Sequence, residues 1–241
     1  MKLAIMQPYF FPYIGYFQLI NAVDKWVVFD IVQYMRHQWI NRNRILHPKS
    51  GFQYIIVPAR KHSREIFIKD IVIDNRQNWK NRIIAQLAHY KKKAPFFKET
   101  IDFLKECFFS EESNVRNLSK LNTIILKKVC NRLNIKFKHT ICSDLNLQLG
   151  GITHPGDWAL MISDQLGAKE YINPSGGREI FVPSKFEEKG IKLKFLTPKP
   201  ISYKQKGHEF IPNLSIVDVM MWNSKKEIKT MLGEYELSEP F

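Results

Sequence analysis

Residues 1–30, MKLAIMQPYFFPYIGYFQLINAVDKWVVFD, decide the fold. Residues 2–6 form a short apolar run that stops at Gln7-Pro8. Pro12 and Gly15 punctuate a turn, and Tyr16, Leu19, Ile20 and Val23 then recur at helical spacing. Trp26 to Phe29 is a second apolar run, closed by Asp30. Strand, helix and strand within thirty residues is a βαβ unit, and a βαβ unit predicts parallel strands buried on both faces.

Beyond that unit, residues 52–57 and 66–73 are rich in β-branched and aromatic side chains and read as strands, the second broken near Lys69-Asp70. Three helical periodicities follow: Trp79, Ile83, Leu87 and Tyr90; then Phe97, Ile101, Leu104 and Phe108; then Leu118, Leu121, Ile125, Val129 and Leu133, closed by Asn134 as a left-handed cap. Residues 76–133 therefore read as a helical subdomain or insertion. The α/β pattern resumes with a strand at 136–141, a helix from Pro155 to Leu166 and a strand at Glu170–Asn173. A short helix at Pro183–Lys189 and an alternating strand through Ile191, Leu193 and Phe195 follow it. Ser215-x-x-Asp218 and Ser224-x-x-Glu227 are both capping-box patterns for short terminal helices. The expected architecture is one α/β domain over residues 1–241. Its core is a mainly parallel, Rossmann-like sheet flanked by helices, with the helical insertion at 76–133.

The chain has 241 residues, 44% of them hydrophobic and 13% aromatic, which is ample material for a core. Its net charge of +14 attracts anions: nucleic acid, anionic lipid or phosphorylated small molecules. Cys107, Cys130 and Cys142 follow no zinc or redox spacing and suit a reducing compartment. The seven histidines show no His-x-x-x-His pair, so no metal is expected. No apolar stretch approaches the roughly 20 residues that span a bilayer, and no signal peptide is evident at the start. The expectation is a cytoplasmic protein.

Four segments carry candidate chemistry. A strand end that feeds a helix N-terminus suits an anion, which makes Gln7, Tyr13 and Gly15 candidate binding residues and the turn a candidate ATP site. Tyr13-Ile14-Gly15-Tyr16 sits where nucleotidyltransferase-like folds place His-x-Gly-His. Phenols donate hydrogen bonds but carry no positive charge at neutral pH. In Trp39-Ile40-Asn41-Arg42-Asn43-Arg44, alternation puts Asn41 and Asn43 on one face and the arginines on the other. Arg42 suits a phosphate or carboxylate, and Asn41 and Asn43 suit amide or hydroxyl groups. Asp30, at a strand end, suits a ribose hydroxyl, although no G-x-G-x-x-G precedes it. The loop Asn173-Pro174-Ser175-Gly176-Gly177 brings backbone N–H groups to another strand end. Tyr203 and Gln205 precede His208, an imidazole titrating near neutral pH. The catalytic candidates are His208, Asp30 and Tyr16.

In order along the chain, MQPYFFPYIGYFQLINAVDKWVVFD, WINRNRIL, YINPSGG, YKQ and FIPNLSIVDVMMWNS resemble the WbqC-like family. Phe181 and Trp222 depart from it, standing where the family more commonly has Tyr and Phe. The resemblance implies association with biosynthesis of bacterial surface polysaccharide such as O-antigen, and it brings no established catalytic residue.

The leading expectation is an enzyme that transfers or ligates an acyl or aminoacyl group onto a nucleotide-linked amino sugar. ATP would act through an acyl-adenylate. An aminoacyl-tRNA donor would give the basic surface a use. The alternatives are a non-catalytic binding or regulatory module of the polysaccharide machinery, and a nucleic-acid binder of tRNA type. Oligomeric state is not legible in the sequence.

Overall fold

The computed structural model describes residues 1–240. The opening stretch folds as its pattern predicts: β1 (Lys2–Met6), α1 (Ile14–Ala22) and β2 (Lys25–Val28), with β1 and β2 parallel and Ile5 opposite Val27. Then come β3 (Arg42–Leu46), β4 (Phe52–Ile56), α2 (Trp79–Gln86), α3 (Phe97–Phe109) and α4 (Leu118–Arg132). The remaining elements are β5 (His139–Ile141), α5 (Pro155–Gln165), β6 (Glu170–Pro174), α6 (Pro183–Glu188), β7 (Lys192–Pro198), α7 (Ile216–Trp222), α8 (Lys225–Met231) and β8 (Tyr235–Ser238).

The main sheet has six strands in the order β5-β2-β1-β6-β7-β8, all parallel except the antiparallel β7–β8 edge. β3 and β4 form a separate antiparallel pair. Leu3 and Ile5 face one core with α5 and α6, whereas Ala4 faces the other core with α1, α4 and α7. Burial on both faces is why β1 is continuously apolar rather than alternating. α1 is buried nearly all round, from Ile14 to Ile20, as a helix with no polar stripe must be.

The helices between β4 and β5 share the α1-side core: Trp79, Ile83, Leu87, Tyr90, Leu104, Phe108, Leu121 and Ile125 are all at most 1% exposed. Asn134, just past α4, adopts φ 56°, the left-handed cap its sequence position predicts. Residues 66–73 differ from expectation. They form a 3-10 turn at Ile68–Asp70 with isolated bridges to Gln33, Ala59 and Asn117. Ile68, Ile71 and Ile73 still enter the core, so the apolar pattern marked burial and not a strand ladder. β8 has no strong strand pattern of its own and forms by pairing with the free edge of β7.

Cys107, Cys130 and Cys142 are free and buried. Burial raises all three thiols, Cys142 to about 12, so they are packing groups and not nucleophiles. No described helix is long and apolar enough to cross a membrane.

Candidate functional site

The segment between β1 and α1 is clamped at nearly every carbonyl. Tyr16 Oη donates to the Gln7 carbonyl at 2.8 Å and Asn122 Nδ2 to that of Pro8 at 2.8 Å. Asn43 Nδ2 donates to the Phe10 carbonyl at 3.0 Å, Ser215 Oγ to that of Phe11 at 2.7 Å and the Ile216 N–H to that of Pro12 at 2.9 Å. Phe11 sits at φ 40°, a conformation that costs a bulky residue about 1–3 kcal/mol and persists only where the surroundings dictate it. The distant segments that carry Asn43 and Ser215 thus fix the course of the chain as it leaves β1.

What that chain course exposes is a cleft. From β1 the chain crosses through α1 to β2 on one side, and from β6 it crosses through α6 to β7 on the other. α1 and α6 cover opposite faces of the sheet. Strands β1 and β6 are neighbours that send their crossovers apart, which opens a crevice at their C-terminal ends, the place where α/β sheets bind ligands. A cleft of about 700 Å³ lies there. Gln7 from the end of β1, Phe29 from the end of β2 and Asn173 from β6 line it, together with His154 and Trp158 from the first turn of α5. Met35 and Ile180, 55% and 41% exposed, give the cleft an apolar rim.

Its polar groups are held from behind. Tyr171 Oη donates to Asn173 Oδ1 at 2.9 Å, and burial keeps the Tyr171 hydroxyl far above its ordinary value and hence protonated. Gly177 lies so close to the Asn173 amide that an added Cβ would stand 2.5 Å from Nδ2. Tyr16, likewise fully buried and raised by desolvation, fixes the Gln7 backbone. His154 is the N-cap of α5, its Nδ1 accepting from the Gly156 N–H at 3.3 Å. Asp157 completes a capping box, accepting from the Thr153 and His154 N–H groups and from Lys185 Nζ at 2.8 Å. The hydrogen bond from Lys185 is the chief reason its carboxyl lies well below the ordinary range.

Depression of that pKa fixes a sign. The stability Asp157 contributes is fully present above the ordinary carboxylate pKa near 4 and drains away as pH falls from there toward the depressed folded value. Asp157→Asn removes this term, so its melting temperature falls less than that of the native chain between about pH 5 and 3, readable by circular dichroism.

The remaining sequence candidates lie elsewhere. Asp30 is 2% exposed, and its carboxylate accepts from Ser143 N–H at 3.0 Å and Ser143 Oγ at 2.8 Å, with burial raising its pKa despite those bonds. Asn41 holds the Val57 carbonyl. Arg42 lies over the Tyr54 ring and donates to the His37 carbonyl. Ser175 and Gly176 belong to the 3-10 turn after β6. Tyr13 and Gly15 open on a second groove of about 500 Å³ on the α1 side, which Tyr203 and Phe210 also line. His208 sits near Lys93 and away from the cleft, its pKa lowered first by burial and then by that charge.

Behind the second groove, Asp218 is fully buried. Its carboxylate accepts from Tyr90 Oη at 2.5 Å, Tyr203 Oη at 2.7 Å and Gln205 Nε2 at 3.1 Å. Burial raises its pKa while those donors lower it. Ser215 caps α7 as its pattern predicts, but Asp218 turns inward and closes no capping box; only Ser224 and Glu227 do so in the tail.

Sequence reasoning missed His154, Gly156 and Trp158. The available signal was Thr153-His154-Pro155-Gly156-Asp157: a polar N-cap, Pro at the first helical position and an acidic third residue.

Fold and cleft together define an α/β protein with an open cleft at the switch point of a mainly parallel sheet. The chain belongs to the WbqC-like protein family, whose model matches residues 7–230. It is also 30% identical over 221 residues to a Mycobacterium tuberculosis protein named "Uncharacterized protein Rv1507c", covering 91% of this chain and 92% of the relative. No solved structure matches the chain. The match leaves out β8 and begins at Gln7, the first residue of the clamped segment.

Proposed function

We propose that this chain is an enzyme of bacterial surface-polysaccharide biosynthesis that joins an acyl or aminoacyl group to a nucleotide-linked amino sugar, bound in the switch-point cleft. One observation carries the reading: Gln7 and Asn173, from adjacent parallel strand ends, line a single cleft with aromatic walls. Amides beside aromatic rings suit a hydroxyl- and amide-bearing ring. In the reaction, the sugar amine forms a C–N bond to the acyl carbon, the bond from that carbon to its leaving group breaks, and the amine gives up a proton. The donor is an acyl-adenylate made from ATP with release of pyrophosphate, or an aminoacyl-tRNA.

The test is incubation with nucleotide-linked amino sugars, ATP and amino acids, with products read by mass. A sugar nucleotide heavier by one acyl or aminoacyl group supports the reading. No mass gain, together with no binding of any nucleotide sugar, overturns it.

A second reading has its own support. His208, Asp30 and Tyr16 do not line the cleft, which suits a binding or regulatory module of the same machinery. Tight nucleotide-sugar binding without turnover would favour it.

Gly177→Ala separates site from scaffold. The new Cβ displaces the Asn173 amide and forfeits its bond to Tyr171, which strands a buried hydroxyl at a cost of about 1–3 kcal/mol. The stiffer unfolded chain returns about 0.4–1 kcal/mol. The melting temperature therefore falls only modestly while nucleotide-sugar affinity, measured by titration calorimetry, falls more steeply.

A further inference from the structure

The chain carries 37 Lys and Arg residues, yet none of the described residues lining the switch-point cleft is Lys, Arg, Asp or Glu. Arg178, which follows the lining residue Gly177, donates to the Glu239 carbonyl and Ser238 Oγ and lies over the Phe195 ring, whereas Arg36, which follows Met35 at the rim, is exposed. The first turn of α5 offers no open anion site either. Pro155 has no N–H, the Gly156 N–H is taken by His154 Nδ1, and the Asp157 N–H bonds the His154 carbonyl. A pyrophosphate inside this cleft would meet no Lys or Arg among the residues that line it. What the cleft offers instead is the Trp158 and Phe29 rings, packed edge-on at 5.7 Å, the Gln7 amide, the His154 ring, and the Asn173 amide, whose oxygen already accepts from Tyr171 Oη and whose nitrogen donates to the Pro174 carbonyl.

The hydrogen-bond pattern of His154 decides its role. Because Nδ1 accepts from the Gly156 N–H, the neutral ring carries its proton on Nε2. Nε2–H is therefore the donor of this exposed ring, and it has no partner among the described residues.

We infer that the cleft takes the uncharged ring end of its ligand, sugar or base, and leaves the phosphates outside, with His154 Nε2–H donating to an acceptor on that ring. This rests on the proposed function for the choice of nucleotide-linked sugars as probes, but not for the chemistry of the cleft.

The experiment is competition binding on the full chain. The probes are UDP- and dTDP-linked amino sugars, the matching nucleosides, the free amino sugars and inorganic pyrophosphate. Each is measured with the native chain and with His154→Asn. Asparagine is among the best N-caps, so this variant keeps α5 intact but withdraws the Nε2–H. The expected result has four parts. The free sugar or the nucleoside competes, and which of them does so identifies the ring. Pyrophosphate does not compete. Affinity changes by less than about twofold between about 50 and 300 mM salt. His154→Asn binds about tenfold more weakly at an unchanged melting temperature, as the loss of one hydrogen bond to a ligand requires.

Competition by pyrophosphate, a steep loss of affinity with salt, or native affinity in His154→Asn would each overturn the inference, as would failure of every probe to bind. An uncharged ring that binds while no acylated product forms supports this inference and counts against the proposed reaction. Product formation with affinity carried by pyrophosphate does the reverse.

Discussion

Asp218→Ala is expected to lower stability by about 3–5 kcal/mol. Tyr90, Tyr203 and Gln205 all donate to this one buried carboxylate. Removing it strands three buried donors at about 1–3 kcal/mol each, partly relieved as the site relaxes. The loss spreads, because Tyr90 Oη also accepts from the Leu46 N–H at 2.9 Å and so ties β3 to the same network. The Gln205 amide in turn holds Ile211 through both its N–H and its carbonyl. Urea unfolding of the variant should show a lower midpoint with an unchanged slope. A midpoint within about 0.5 kcal/mol of the native chain would mean that Asp218 is not the centre of this network.

The second large effect is expected at Gly156. A Cβ there would lie 2.1 Å from the Ile180 carbonyl oxygen, which is backbone and cannot swing aside like a side chain. Alanine favours a helix over glycine by about 1 kcal/mol, so propensity alone predicts that Gly156→Ala stabilises. The contact predicts the opposite: a net loss of about 1–3 kcal/mol, as for other overpacked sites. Gly156 is in the first turn of α5 and Ile180 closes the turn after β6, two walls of the same cleft. Forcing them apart should also weaken ligand binding. A stabilised variant with native affinity would show that these walls are not in contact.

The fold was legible because its strongest signals are local. The apolar runs at residues 2–6 and 26–29 bracket one helix, and only a parallel pair buries both faces of such strands. Pairing that depends on a distant neighbour was not legible: β8 exists because β7 offers an edge, and residues 66–73 bury their isoleucines from a turn. The site shows the same divide. Gln7 and Asn173 lie at strand ends and Gly177 in the turn after β6, where a parallel sheet gathers ligands, and they meet in one cleft. Asn43 looks like a ligand group in the sequence and Ser215 like a helix cap, since amides and hydroxyls bind sugars and backbone alike. Here each holds a carbonyl of the opening segment. Asp30 and Gln205 are likewise spent on the protein itself. Nothing within a single segment tells a side chain that grips a ligand from one that grips the backbone some 200 residues away, as Ser215 does Phe11. His154 escaped notice because its helix-capping role reads as local structure, although the residue also lines the cleft.

The most direct test of the central claim is a crystal structure of the chain soaked with a nucleotide-linked amino sugar. The account predicts ligand density in the switch-point cleft, within hydrogen-bond reach of Gln7 and Asn173. Density in the groove beside Tyr13 and Tyr203 instead, with the cleft empty, would contradict it.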